Sequence, residues 1–274
     1  MGKIYKYEMI RRSKAIFILG GIMLGMTLIS IILSLLFRVD FNYVENMPMY
    51  ARIWCVLTLL AISFIPLLMF FTCSHAHIKE MLYRDTNYLM LTIPLSSRKI
   101  LLGRWLAGLT EYIIYVALSF ISIFSWLTII MPSLEDATFF LKLLVLNIFG
   151  NPVGVFVVLS YALSLFALVG MTIIMVQMFI RSFIKKRGLT FAIAIVAYIF
   201  MFFVMNDIAI NLSLRLNWNL PITITAFSAN DFHSNIVVEK HTWSAPMVLP
   251  IVWLALSTGF FFISSWLLEK KVEV

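Results

Sequence analysis

The sequence has little charge and little cysteine for its 274 residues. Charged side chains make up 12% of the chain, whereas hydrophobic ones make up 62%. Soluble domains are about half apolar and about a quarter charged. No compact soluble fold of this size could hide that much apolar side chain from water. The composition therefore excludes a water-soluble enzyme and predicts an integral membrane protein.

The chain also lacks the motifs that carry most hydrolytic and metal chemistry. It contains no G-x-x-x-x-G-K-[ST], no H-E-x-x-H and no G-x-S-x-G. The two cysteines, Cys55 and Cys73, lie 18 residues apart on one predicted helix. That spacing corresponds to about 27 Å, which is too far for a disulfide. We therefore expect no catalytic residue, no metal site and no cofactor bound by this chain.

Six stretches are long enough and apolar enough to cross a bilayer. A hydrocarbon core of about 30 Å needs roughly 20 helical residues per crossing. Helices are expected because a segment in lipid must satisfy its own backbone hydrogen bonds, and these stretches lack the alternation of barrel strands. The sequence predicts an all-α polytopic fold with six transmembrane helices, at about 15–37, 53–74, 105–131, 153–180, 189–206 and 247–268.

The basic residues predict how the chain is oriented. Sixteen of the 21 Lys and Arg lie before the first span, between the second and third, between the fourth and fifth, or in the tail. By the positive-inside rule, both termini are cytoplasmic in a plasma membrane, which we expect to be bacterial. The net charge of +8 then reflects topology, so no nucleic-acid partner is expected.

Two segments outside the spans have their own predictions. Residues 1–14 alternate apolar and basic side chains, which is typical of a helix lying in the cytoplasmic interface before the transmembrane domain of residues 15–274. Residues 207–245 form the longest extracellular segment and contain the apolar patch 220–227. We expect a partly re-entrant or surface-lying structure there, because so many apolar groups would not stay in water.

The cytoplasmic connection at 75–104 carries two helix signals around Pro94. Asp85 or Thr86 can cap a short helix, and Ser96 or Ser97 can cap a second one that runs into the third span. The second helix carries basic interfacial residues in its first turn, where they oppose the helix dipole and where anionic headgroups would favour them. The residues of the short helix are Asp85, Thr86, Asn87, Tyr88, Leu89, Met90 and Leu91, and the two bases are Arg98 and Lys99.

The run TNYLMLTIPLSSRKILLGRWLAG, at 86–108, resembles the type-2 ATP-binding-cassette (ABC) permeases. Their pattern is Leu-Thr, an aliphatic residue and Pro, then small residues followed by Arg, Lys and an aliphatic-rich stretch. The resemblance implies that residues 85–91 form a coupling helix that docks on a separate ATPase subunit. One departure is that Asp85 and Asn87 stand where a Glu is expected. A reading from the residues alone stays open, in which the short helix simply rests on lipid headgroups.

The resemblance also implies partners and an activity. The chain would be the permease subunit of an exporter, paired with a second permease as a homodimer or heterodimer and with two ATPase subunits. ATP and Mg²⁺ would bind to the ATPase, and the cargo would be a hydrophobic or amphiphilic drug, peptide or lipid-linked molecule. The alternative function is a membrane sensor or immunity protein that binds an extracellular ligand through residues 207–245 without transport.

Polar residues inside the spans give two further hypotheses. Glu111 is the one acid within a predicted span, and a charge in the bilayer is costly unless paired, hydrated or neutralised. We expect it to pair with Arg98, Lys99 or an N-terminal Lys, with a proton or substrate role as the alternative. One face of the first span carries small and weakly polar residues, which suits helix packing, a dimer seam or a pathway wall. These residues include Gly20, Thr27, Ser30 and Ser34.

Overall fold

The protein is described by a computed structural model over residues 2–36, 48–75, 96–130, 150–183, 187–228 and 237–270. In these ranges it forms six long helices and one antiparallel two-stranded sheet. The helices are α1 (Gly2–Leu36), α2 (Met49–Ser74), α3 (Ser97–Ile130), α4 (Pro152–Phe183), α5 (Arg187–Leu216) and α6 (Val248–Lys270), and the strands β1 (Asn219–Ser228) and β2 (Val237–Pro246) lie between α5 and α6.

All six helices are long and apolar enough to cross a membrane. Each predicted span corresponds to one of them, so the structure is consistent with a multi-pass helical membrane protein. Large apolar side chains such as Phe17, Phe156 and Phe200 are exposed on the outer faces of these helices. An apolar surface this extensive is unusual for a soluble protein and is what a lipid-facing surface requires.

The N-terminal arm differs from its prediction. Residues 2–14 do not form a separate helix, because α1 is continuous from Gly2 to Leu36. No proline or glycine interrupts the chain between Lys3 and Leu19, so the backbone has no local reason to break there. The buried side chains of Glu8 and Arg12 also hold this arm against the rest of the bundle.

The fifth span and the segment after it also differ from their predictions. Helix α5 continues to Leu216, about 15 Å beyond the predicted end at Asn206, so Asp207 also lies within a candidate span. The structure then turns at Asn217, whose φ is 42°, and forms the β-hairpin. The β-branched alternation Ile-Thr-Ile-Thr from Ile222 to Thr225 favours a strand, which an all-α prediction overlooked.

The helices form two groups of three. In the first group α1 and α2 both pack along α3, and in the second group α5 and α6 pack with α4. Contacts between α2 and α4 and between α3 and α6 join the two groups. The first group encloses Met23, Ile62 and Tyr115, whereas Trp253 and Phe260 of α6 lie in the core of the second.

The end of α2 is packed tightly between the two groups. The helix is continuous through Pro66 and ends at Ser74. A Cβ atom on Gly108 of α3 would overlap the carbonyl oxygen of Cys73, and one on Gly170 of α4 would overlap that of Ser74. Only glycine allows the backbones to approach this closely. The C-terminal end of α2 is therefore wedged between α3 and α4.

Candidate functional site

Buried charges join α1 to α3 near the end of α2. We call Glu8, Arg11, Arg12, Arg104 and Glu111 the charge cluster. Arg12 donates from one terminal guanidinium nitrogen to Glu111 Oε2 over 2.8 Å, and both side chains are less than 5% exposed. The pair lies 99 residues apart in sequence, so it connects two helices that local propensity alone would not bring together.

Glu8 is the centre of the charge cluster. Its side chain is 0% exposed and accepts a hydrogen bond from Arg11 over 2.7 Å. Arg104 Nε lies 3.2 Å from Glu8 Oε1, and Arg12 Nε lies 3.6 Å from Glu8 Oε2. Glu8 thus faces three arginines, and the two carboxylates together bridge α1 and α3 twice.

The balance of charge explains why these groups tolerate burial. Transfer of a charge from water to a protein interior costs several kcal/mol, and opposite charges at close range offset that loss. The charge cluster contains three arginines and two glutamates, so these five residues have a formal charge of +1. Each carboxylate lies within 4 Å of an arginine nitrogen. The charge cluster therefore holds α1 against α3, and the burial of each charge depends on the opposite charges beside it.

The charge cluster lies where two apolar runs begin. In α1 the uncharged run starts at Ala15, one turn after Arg12, and in α3 it starts at Tyr112, directly after Glu111. Glu111 therefore lies where the long uncharged run of α3 begins, inside the candidate span Ser97–Ser125. A charge beside the end of an apolar run needs less compensation than one in the middle of such a run, because the middle would lie at the bilayer centre.

Glu111 pairs with a base, as predicted, but the base is Arg12 of the N-terminal arm and not Arg98, Lys99 or an N-terminal Lys. Arg98 lies over the ring of Phe262, with its guanidinium carbon 5.5 Å from the ring centroid, and Lys99 is exposed. Glu111 lies about 21 Å along α3 from the helix start at Ser97, so Arg98 and Lys99 in the first turn cannot reach it. Arg12 of α1 lies beside it instead.

The start of α3 is attached to α6. Ser97 Oγ lies 2.6 Å from Glu269 Oε1 and 2.8 Å from Ser265 Oγ. The backbone nitrogen of Lys99 donates to the carbonyl oxygen of Ser96 over 2.9 Å, which makes Ser96 the N-cap residue that precedes α3. The connection at 76–95 therefore enters a helix whose first residue is anchored to the other helix group.

The proposed coupling residues, Asp85, Thr86, Asn87, Tyr88, Leu89, Met90 and Leu91, lie outside the described residues. The two points between which they run are described. One is the wedged end of α2 at Ser74, and the other is Ser97, the anchored first residue of α3.

The small-residue face of α1 packs inside the chain. Ser30 Oγ donates to Thr58 Oγ1 of α2 over 2.9 Å, and a Cβ atom on Gly20 would lie 3.0 Å from Leu118 of α3. Thr27 and Ser34 are also buried, and each donates to a backbone carbonyl oxygen four residues earlier in α1. This face of α1 therefore packs against α2 and α3 of the same chain, as the helix-packing prediction expected, and does not lie open to a second copy or a pathway.

The sequence did contain a weak indication of the charge cluster. Glu8 and Arg12 stand four residues apart and share a helix face, but such spacing is common on solvated surfaces. Nothing local indicates that this face meets Arg104 and Glu111. Among the described residues, no group of three or more His, Cys, Asp or Glu side chains could hold a metal ion.

Comparison with known proteins gave no relative. No family model matches the chain, and no curated protein sequence or solved structure matches it.

Proposed function

We propose that this protein is the permease subunit of an ATP-driven exporter of the ABC type. Two permease copies, identical or paralogous, would pair and bind two ATPase subunits that carry ATP and Mg²⁺. The cargo would be a hydrophobic or amphiphilic drug, peptide or lipid-linked molecule, moved outward across the plasma membrane. Both termini and the connection at 76–95 would face the cytoplasm, where the ATPase is.

The observation that carries this proposal is how the two ends of the connection are attached. The end of α2 is wedged against Gly108 and Gly170, so α2 cannot shift without displacing α3 or α4. Ser97 is bonded to α6, and the pair of Arg12 with Glu111 ties α3 to α1. A force applied to the connection would therefore reach α1, α3, α4 and α6. Packed cores respond to such a force by rigid-body shifts, because they deform little.

In this mechanism the short helix at 85–91 moves with the ATPase surface. Closure of the ATPase pair on ATP would displace the end of α2 and the start of α3 together. The charge cluster would make α1 and α3 move as one body, because separation of Arg12 from Glu111 would leave two buried charges apart. The two helix groups could then rotate against each other and change access to a pathway between permease copies.

The experiment is affinity purification of the tagged protein from its native membrane. The wild-type protein should retain an ATP-hydrolysing subunit. The double variant Leu89→Asp, Leu91→Asp should lose that subunit, because two carboxylates would replace the apolar contacts of the coupling helix. A matched control is Leu214→Asp, Leu216→Asp, which puts the same change at the same spacing on exposed leucines at the opposite end of the bundle.

The control should keep the subunit. The proposal fails if the wild-type protein purifies in active form without an ATPase, or if the variant at 89 and 91 retains the subunit and its ATP turnover.

A second candidate function is a membrane sensor or immunity protein. The β-hairpin favours it, because strands of ten residues each present an ordered surface at the end of the bundle away from the charge cluster. A sensor would purify without an ATPase, and its function would survive the change at Leu89 and Leu91. The same purification therefore separates the two candidates.

A further inference from the structure

The base of the β-hairpin lies where three candidate spans begin or end. Helix α5 ends at Leu216, α6 begins at Val248, and a Cβ atom on Gly154, near the start of α4, would lie 3.1 Å from the side chain of Ile222. The backbone nitrogen of Met247 donates to the carbonyl oxygen of Trp218 over 2.9 Å, which closes the base. Because helices that cross a bilayer end near its headgroups, the hairpin base is at that level.

The two faces of the hairpin differ near its base. Ile222 pairs with Trp243 and Leu220 with Ala245, so these four side chains share one face. The contact of Ile222 with α4 shows that this face is turned toward the helix ends. The other face carries exposed polar or small side chains and one proline, namely Asn219, Pro221, Thr242 and Ser244.

Trp243 is unusual because it lies on the face turned toward the bundle yet is 68% exposed. No helix in the described part of the chain lies beneath it. The neighbouring end of α5 is also apolar and exposed at Leu214, Leu216 and Trp218. This patch continues the lipid-facing surface of α5 up to the hairpin. Indole rings prefer the headgroup layer of a membrane, where the ring is apolar and the N–H can find a polar partner.

We propose that the β-hairpin lies on the membrane surface with the indole of Trp243 inserted in the headgroup layer. The partner is the phospholipid interface itself, and the surface is the face that carries Leu220, Ile222 and Trp243. The opposite face, with Thr242 and Ser244, is in water. This inference depends on the spans and not on an ATPase, so it stands or falls separately from the proposed function. A sensor would have to bind its ligand through the opposite face.

Site-directed spin labelling in phospholipid vesicles tests the proposal. Three variants place the label at successive positions of β2: Thr242→Cys, Trp243→Cys and Ser244→Cys. Cys55 and Cys73 are buried, and labelling of the wild-type protein measures their background. Collision with apolar oxygen reports lipid, whereas collision with a water-soluble nickel chelate reports solvent. The ratio of oxygen to nickel collisions should be higher at 243 than at either neighbour.

Equal ratios at all three positions would overturn the proposal, and so would a label at 243 that neither reagent reaches, because protein would then cover it. If Trp243→Cys does not fold, the labels at 242 and 244 still test the proposal. Preferential collision with oxygen at these two positions would show that the opposite face of the hairpin lies on the membrane. Trp243→Phe gives an independent measurement. Brominated phospholipids should quench a smaller share of the fluorescence in this variant than in the wild-type protein, and an unchanged share would overturn the proposal.

Discussion

Removal of the charge from Glu111 is the sharpest test of the charge cluster. In Glu111→Gln, Arg12 loses a carboxylate at 2.8 Å and keeps the more distant Glu8 at 3.6 Å. Loss of one partner from a buried ion pair costs about 3–5 kcal/mol of unfolding free energy. The new amide oxygen can still accept a hydrogen bond, which returns about 1 kcal/mol. The net expected loss is about 2–4 kcal/mol.

The two buried cysteines supply the assay. Neither Cys55 nor Cys73 is accessible in the folded protein, so a thiol-reactive dye reports unfolding in a denaturant titration of the detergent-solubilised protein. Asp207→Asn is the matched control, because it makes the same change of carboxylate to amide at an exposed position of α5. The control should change the unfolding free energy by less than about 0.5 kcal/mol.

A double-mutant cycle isolates the pair. Arg12→Gln alone should also destabilise the protein, and the double variant with Glu111→Gln should lose less than the sum of the two single losses. The reasoning would be refuted by a Glu111→Gln variant as stable as the wild-type protein, or by single losses that simply add. Either outcome would mean that the two side chains do not stabilise each other.

Further predictions concern the helix contacts. Gly108→Ala and Gly170→Ala should each lower the denaturant concentration at which half of the thiols are exposed, because the added methyl group overlaps a backbone carbonyl of α2. Gly25 has open space around it, so Gly25→Ala should leave the stability unchanged or raise it by up to about 1 kcal/mol. Gly25→Ala as destabilising as the other two would contradict this. Ser30→Ala should cost only about 0.6 kcal/mol in the same titration, since it removes one hydrogen bond to Thr58 between packed helices. A loss of unfolding free energy above about 2 kcal/mol would contradict this limited role of Ser30.

The spans could be predicted because they depend on composition alone. A helix that faces lipid must be apolar over about 20 residues, and any stretch with that property is visible without tertiary information. The ends were less predictable because charge, which was used to end a span, does not end a helix. Asp207 and Arg215 interrupt the apolar run of α5 but leave its backbone hydrogen bonds intact, so the helix continues to Leu216.

The charge cluster could not be predicted because it depends on contacts between distant residues. Glu111 was recognisable as a costly charge, but its partner lies on α1, which is distant in sequence and packs along α3. The close backbone contacts at Gly108 and Gly170 could not be predicted either, since the sequence does not show whether another backbone lies against a helical glycine. The coupling helix stays a prediction that depends on the resemblance of residues 86–108.

The proposed function requires that another protein's ATP cycle moves this protein through the connection between α2 and α3. Its most direct test is a photo-activated crosslinker at position 89, with the same crosslinker at the exposed Leu214 as the control. Irradiation of native membranes should join position 89, and not position 214, to a nucleotide-hydrolysing protein that mass spectrometry identifies. If position 89 gives only lipid adducts in membranes where the protein is active, the claim is contradicted.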